Sequence, residues 1–510
     1  MRLVPPARRV AGGVGFQASL FINSKHMSPI TVYRRDGNAI HCSIAIVGGG
    51  FAGSLLAVRL LRRAGGALSV VLVDRGSQPG RGVAYATKFD EHLLNVRAEN
   101  MSAYPDAPDH FLKWAQSHYS GSVKADDFLP RSLYGRYIAS QLQDASQSVT
   151  GELRLIQDEA ISLTRVGSVA EVVLASGRVV VAAKVVLALG NFPPGNPLPE
   201  KTAGGRRYVS NPWPANALLD VHQDKSVLLM GSGLTSVDMV IELRERGFDG
   251  TIHLLSRRGL LAQSHKAATP PPFWSADFPR TARELLRLIR RQVNSAEGQG
   301  SDWRAVIDSL RPVTQKIWQS LPLVEQRRFL RHLRTYWDVH RHRIAERVAG
   351  QLAPQFESGQ LRIHAGRITE YRQVAGGVEV TYRSRKSGEL AKLCVDRVVN
   401  CTGPETDCCR VDSALLSDLM DKKLVRPDEL SLGLDVTDCG AVLDAQGTVS
   451  SFLYALGSLR KGSLWETTAV PEIRVQVAEL AELLLAHYKL EDSESQAPVA
   501  RPGLPTSLYC

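Results

Sequence analysis

Two stretches of one layout, a strand-rich plan that appears twice behind them, and a segment of helical period between the copies predict the fold class. It is α/β: two Rossmann-like domains of three-layer ββα architecture, plus a helical insert. The first stretch, IAIVGGGFAGSLLAVRLLRRAGGALSVVLVDRG, covers residues 44–76, and the second, VLLMGSGLTSVDMVIELRERGFDGTIHLLSRRG, covers residues 227–259. Each begins with an apolar run and a glycine-rich turn. A helix-like pattern follows, then a second apolar run that ends in polar residues. That is the strand, turn, helix, strand layout of a dinucleotide-binding unit.

In the first stretch Gly48 permits the tight turn, Gly50 lets backbone approach a pyrophosphate, and Gly53 lets the helix pack closely on its strand. The helix N-terminus then offers free N–H groups to the anion. Asp74 ends the second strand, where a carboxylate accepts hydrogen bonds from ribose hydroxyls. The second stretch keeps Gly231 and Gly233 but has Ser236 in place of the third glycine. Its second strand ends in Ser256, Arg257 and Arg258 instead of an acid. Guanidinium groups there pair with a 2′-phosphate, which points to NADPH over NADH; the alternative is a solvated arginine pair.

ELRLIQDEAISLTRV (residues 152–166) and QLRIHAGRITEYRQV (residues 360–374) each open a β-meander. Both meanders end in a strand with a small residue and a glycine, at Ala188 and Gly190 and at Cys401 and Gly403. Between the copies, residues 282–350 read as helical. Within EQRRFLRHLRTYWDVHRHRIAERV, Leu330, Leu333, Trp337, Ile344 and Val348 form one apolar stripe; Arg327, Arg331, Arg334, Asp338 and Arg341 form a charged one. His340 and His342 point apart on such a helix and are poor co-ligands, and no metal site is expected. LYALGSLRKGSLWETTAVPEIRVQVAELAELLL (residues 453–485) reads as a strand, a glycine turn at Gly457 and a long final helix. Ser463 stands where a phosphate loop needs lysine, so that motif is rejected. A helix end near an electron-poor ring is the better use.

The chain has 510 residues, enough for two or three domains, and its 44% hydrophobic and 22% charged content describes an ordinary globular protein. No apolar run is long enough to span a bilayer. The net charge of +11 is scattered and fits anionic cofactors better than nucleic acid. The seven cysteines include no CxxC pair, and none follows Asp74 closely, so neither a zinc site nor redox-disulfide chemistry is expected; a cytoplasmic location fits. The first 35 residues are basic and acid-free. They read either as a transit-like leader or as a disordered extension, with Met27 an alternative start.

The chain resembles the two-dinucleotide-binding FAD/NAD(P)-dependent oxidoreductases. Within them it is similar to the subgroup carrying GRGVAY (residues 80–85), HLLNV (92–96), MSAYPDAPDHFLKW (101–114) and WETTAVPEIR (465–474), over about residues 42–485. That subgroup includes flavin-dependent hydroxylases, among them one type of urate hydroxylase and the amine N-hydroxylases. The resemblance implies FAD on the first loop and on the chain-terminal helix, with NAD(P)H on the second loop. It places Gly48, Gly50, Gly53 and Asp74 at the adenosine and pyrophosphate of FAD, Arg81, Gly82 and Asn95 toward the flavin, and Gly457 near the ring. Gly231, Gly233, Ser236, Arg257 and Arg258 then hold NAD(P)H, and Gly190 and Gly403 close the two sites.

The expected organisation is a leader at 1–41, an FAD-binding domain at 42–205 and 396–488, an NAD(P)H-binding domain at 206–395 with the insert 282–350, and a disordered tail at 489–510. The expected activity is a monooxygenase that hydroxylates a small, anionic substrate with O2, urate being the specific candidate. A reductase without oxygen insertion and an amine N-hydroxylase are the alternatives. The catalytic candidates are Arg334, to orient an anion, and Trp337, to exclude water or else to serve as plain core.

Overall fold

The computed structural model describes residues 39–64, 68–148, 151–198, 207–221, 224–266 and 278–496. The first half runs β1 (Ile40–Val47), α1 (Phe51–Ala64), β2 (Ser69–Asp74), the short α2 (Gly82–Tyr85), α3 (His110–His118) and α4 (Arg131–Ser148). Four strands follow: β3 (Glu152–Gln157), β4 (Ala160–Val166), β5 (Val169–Leu174) and β6 (Val179–Leu187). β7 (Tyr208–Val209), β8 (Ser226–Met230), α5 (Leu234–Glu245) and β9 (Thr251–Ser256) open the second domain.

Six helices come next: α6 (Ala282–Gly298), α7 (Trp303–Ser309), α8 (Thr314–Ser320), α9 (Leu323–His332), α10 (Arg334–Arg341) and α11 (Glu346–Glu357). β10 (Leu361–Val374), β11 (Gly377–Ser384), β12 (Leu390–Val395) and β13 (Arg397–Asn400) complete the second sheet. The chain then returns to the first with α12 (Ala414–Asp421), β14 (Ala441–Leu443), β15 (Val449–Ala455), α13 (Lys461–Leu464) and α14 (Val470–Gln496).

Each domain has three layers. In the first, the strands β3, β2, β1, β6 and β15 are parallel, and the central β1 and β2 are buried on both faces, as their apolar runs require. Helices α1, α4 and α14 cover one face, and α12 packs with the antiparallel β4–β5–β6 strands on the other. In the second, β10, β9, β8, β13 and β7 are parallel, with α5 and α11 packed on one face and the β10–β11–β12 meander providing the other.

Several boundaries differ from expectation. Residues 152–166 form two strands, since β3 pairs with β2 while β4 turns away to pair with β5. β13 belongs to the second sheet, its Val399 beside Leu229, so a domain boundary at 395/396 would cut that sheet. The long helix expected over residues 325–348 breaks. Ile344 leaves the helical path to exchange backbone hydrogen bonds with Gln263 and His265, at 2.9 Å each. The apolar stripe is thereby divided: Ile344 and Val348 join the core of the second domain, and Leu330 and Trp337 pack inside the insert. The charged stripe divides too, for Arg341 is buried. At the termini, β1 already begins at Ile40, inside the expected leader, and α14 continues to Gln496, into the expected tail. The rest of both segments, Met27 included, lies outside the described residues.

Candidate functional site

At the end of β1 the chain turns at Gly48, whose φ is +108°. A Cβ there would stand 2.2 Å from the Ala188 carbonyl oxygen, and one on Gly53 would stand 1.9 Å from the Gly48 oxygen. Only glycine allows either approach, so α1 begins directly over the strand end. Gly50 borders the space beyond. A Cβ on Gly50 would meet Gly82 Cα at 3.6 Å, and one on Gly82 would meet Gly50 Cα at 3.3 Å. Two bare backbones thus approach each other closely beside the N-terminus of α1, and that bare surface fits a pyrophosphate running past it.

The Asp74 carboxylate joins the loop to the strand end. Its Oδ2 accepts from the Gly49 amide and its Oδ1 from the Gly76 amide, the latter at 2.6 Å. A carboxylate has about four acceptor sites, so about two remain for ribose hydroxyls. Gly457 ends β15 with φ +73°, and a Cβ on it would lie 3.8 Å from Ala52 of α1. Its amide donates to Gln476 at 3.3 Å and its carbonyl accepts from Thr467 at 2.9 Å. Ser458 donates to the Gly190 carbonyl. Gly48, Gly50, Gly53, Asp74, Gly82, Gly190 and Gly457 therefore meet at the carboxyl ends of the parallel strands, where open α/β sheets bind ligands. Arg81 stands at the N-cap of α2, and burial, then the nearby Arg136, lowers its pKa. The Asn95 carbonyl pairs with His265 Nε2 at 3.1 Å, which ties the first domain to the second.

The second loop repeats the plan. Gly231 has φ +124°, and a Cβ there would lie 2.4 Å from the Cys401 carbonyl oxygen. Gly233 caps α5 with open space around it, and Ser236 is fully buried beneath the turn. In place of the carboxylate stands Ser256: its hydroxyl accepts from Ser232 Oγ at 2.7 Å and from the Gly259 amide at 3.0 Å. The two arginines part company. Arg257 is exposed, whereas Arg258 donates to Tyr336 Oη at 3.1 Å and lies over that ring at 4.8 Å. Gly403, at φ +88°, ends the loop after β13.

The insert reaches both domains through neighbouring residues of α10. Tyr336 holds Arg258, and Trp337 donates its indole N–H to Glu466 Oε1 at 2.8 Å. Glu466 is buried, with Arg341 and His342 at 3.7 and 3.8 Å. Burial pushes its carboxyl up, but His342, Arg341, the Trp337 donor and Arg311 together hold it below the usual carboxylate range. Glu472 completes the group, paired with Arg311 at 2.8 Å and near Arg341 at 3.5 Å. Arg334 pairs with Asp338 at 3.5 Å, and its guanidinium lies 5.8 Å from the centre of the Trp465 ring. The two catalytic candidates thus both touch the 465–466 segment, Trp337 as a half-buried donor and Arg334 from a more open face.

Sequence reasoning gave no site role to Gly49, Ser232 or Glu466, and it named Ser256 and Trp465 only as parts of a strand end and a motif. The third consecutive glycine at 48–50 was a signal for the first; a Cβ on Gly49 would meet Asp74 Cβ at 2.8 Å. For Glu466 there was none, because its partners lie more than a hundred residues away. The helix expected straight after Gly457 begins only at Val470, and a short 3₁₀ turn and α13 intervene.

Residues 45–192 match the model of an FAD-NAD(P)-binding family, which makes the first domain a dinucleotide-binding one. No curated protein matches the chain by sequence. Among solved structures the fold is similar to that of the ornithine N-hydroxylase from Kutzneria sp. 744, solved with reduced FAD, NADP+ and L-ornithine (TM-score 0.61, 14% identity, 88% of this chain and 100% of that one). It is similar as well to L-lysine 6-monooxygenase from Pseudomonas syringae (0.58, 17%, 87% and 99%). Thioredoxin reductase from Lactococcus lactis shares the fold at TM-score 0.50 and 12% identity, with 88% and 99% coverage.

Proposed function

We propose that the protein is an FAD-dependent monooxygenase that uses NAD(P)H and O2 to hydroxylate a small substrate, with an amine nitrogen as the acceptor. The observation that carries this reading is the pair of loops bridged by one helix, through Tyr336 to the second strand end and through Trp337 to the segment after Gly457. FAD fits the first loop, where Gly50 and Gly82 leave backbone bare, and Asp74, Gly457 and Gly190 would hold it. NAD(P)H fits the second, with Arg257 free to meet a 2′-phosphate. When bound, the nicotinamide supplies hydride to the flavin, and the flavin supplies electrons to O2. The protein's own part is to position the ligands and to keep water away, with Trp337 and Trp465 as apolar cover.

The fold is shared with a thioredoxin reductase, so a thiol-disulfide enzyme is the reading to weigh against this one. The cysteines oppose it: among the described residues none is disulfide-bonded, and burial pushes the Cys42 and Cys408 thiols up to about 12. The fold's likeness to two enzymes named for ornithine and lysine favours the amine over urate. Urate rested on the arginine stripe, three of whose four arginines are engaged elsewhere: Arg334 with Asp338, Arg341 with Glu466 and Glu472, Arg327 with the Glu429 carbonyl.

The test is oxygen uptake beside NADPH oxidation in FAD-replete protein, with a panel of amines including lysine and ornithine. Amine-dependent uptake and a hydroxylated product are expected, and Arg334→Ala should raise hydrogen peroxide per NADPH several-fold. NADPH oxidation that proceeds only with a quinone or dye, and without oxygen uptake, would make the protein a reductase.

A further inference from the structure

Between its helices the insert leaves a partly open pocket of about 580 Å³, within the range of roughly 300–1,000 Å³ typical of small-molecule sites. Its walls come mainly from α6 through α10 and from Trp465. Aromatic rings are prominent in them: Trp318 and Trp465 stack at 5.1 Å, and Phe329 meets both edge-on. Trp303 of α7 and His340 of α10 meet edge-on at 4.7 Å, and Leu286, Ile289 and Val293 of α6 extend the apolar lining. Four donors on these walls are spent on the protein. Thr314 donates to the Leu310 carbonyl at 2.8 Å, Trp318 to the Gly462 carbonyl at 2.7 Å, Trp337 to Glu466 at 2.8 Å, and His340 Nδ1 to the Tyr336 carbonyl at 2.7 Å. The Trp465 nitrogen is itself buried. Among the described lining residues Arg290 is the one side chain with a fixed charge, and it is exposed, as is Asn294.

We propose that this pocket binds the uncharged aromatic body of a small molecule. Such a ring replaces water against indole and phenyl groups, in the stacked and edge-on arrangements that the wall rings already adopt among themselves. A charged group drawn in among the same rings would lose its hydration and find no counter-charge there. Trp465 lines the pocket, and two residues on Thr467 donates to the Gly457 carbonyl at 2.9 Å, so the pocket borders the segment that fixes the candidate flavin turn. Calling the ligand a substrate, and therefore an amine carried on an aromatic body, rests on the monooxygenase reading; the binding site itself does not.

Calorimetric titration of FAD-loaded protein, without NAD(P)H, reads binding apart from turnover. 2-Naphthol should bind about tenfold more tightly than phenol, because its second ring buries further apolar surface. 2-Naphthoate should bind about tenfold more weakly than 2-naphthol, because its carboxylate has no partner among the rings. Ile289→Trp and Leu286→Trp, which fill the pocket from two positions on α6, should each weaken 2-naphthol about tenfold or more. Arg287→Trp, exposed on the same helix and outside the pocket, should change it less than about threefold. The thermal unfolding midpoint of each variant is the control for folding. No binding of 2-naphthol, equal binding of 2-naphthoate, or unchanged binding in the two filled variants would overturn the site. In turnover, 2-phenylethylamine should show a KM about tenfold below that of lysine, and an equal or higher one would take the substrate role from this pocket. 2-Naphthol binding in a protein that never takes up oxygen would leave the site standing and remove the monooxygenase reading alone.

Discussion

In the first loop Gly48 stands against the Ala188 carbonyl, and in the second Gly231 stands against the Cys401 carbonyl, at 2.2 and 2.4 Å from an added Cβ. The backbone bonds repeat as well: Gly48 donates to Val73 and Gly231 to Leu255, both at 2.8 Å. The loops differ where the neighbouring strand ends. The first has a carboxylate that binds two backbone amides, and the second has a serine hydroxyl bonded to another serine and one amide. Packing geometry is therefore common to both, and charge is what distinguishes them. A carboxylate repels a 2′-phosphate, while a hydroxyl beside an exposed arginine accepts one.

Adding a methyl group should break the comparison at its shared part, with the largest effect. Gly48→Ala places Cβ inside a backbone oxygen and should cost about 3 kcal/mol or more, with loss of bound FAD by absorbance. Gly231→Ala should weaken NAD(P)H binding and keep FAD. If each variant lost both cofactors, the two loops would not be separate sites.

The second prediction concerns the distinguishing part. Asp74→Ala removes two charge-assisted bonds and should reduce FAD affinity about ten- to a hundredfold, whereas Ser256→Ala should cost the nicotinamide cofactor less than about tenfold. Ser256→Asp should reverse any preference for NADPH over NADH, as Michaelis constants would show; an unchanged preference would mean that charge at this position does not select the cofactor.

The smallest effect separates the two arginines. Arg257→Ala should lower the NADPH preference about tenfold, and Arg258→Ala, whose side chain is spent on Tyr336, should change it by less than about threefold. Equal effects would mean that Arg258 leaves Tyr336 to reach the cofactor.

Much of this was legible in the sequence because it is local. Strand, turn and helix of each loop lie within about thirty residues, and glycine positions report backbone requirements directly. The meander ends at Ala188 and Cys401 were legible as a repeated pattern, though not as the carbonyls that make Gly48 and Gly231 obligatory. The stripe in residues 325–348 misled for a related reason. Its spacing is helical, but Ile344 satisfies its backbone against Gln263 and His265, partners no window of the sequence contains.

By itself, then, the sequence determined the two dinucleotide loops, the three-layer domains and the presence of a helical insert. Each depends on periodicity and turn chemistry within a short span. Only the tertiary structure decided that β13 belongs to the second sheet, that Arg258 faces the insert while Arg257 is exposed, and that Glu466 is buried among Trp337, Arg341 and His342. It also decided that the insert leaves a partly open, largely apolar pocket between its helices. A cavity depends on how five helices and Trp465 meet, and the same apolar residues that line it would read, along the chain, as an ordinary core.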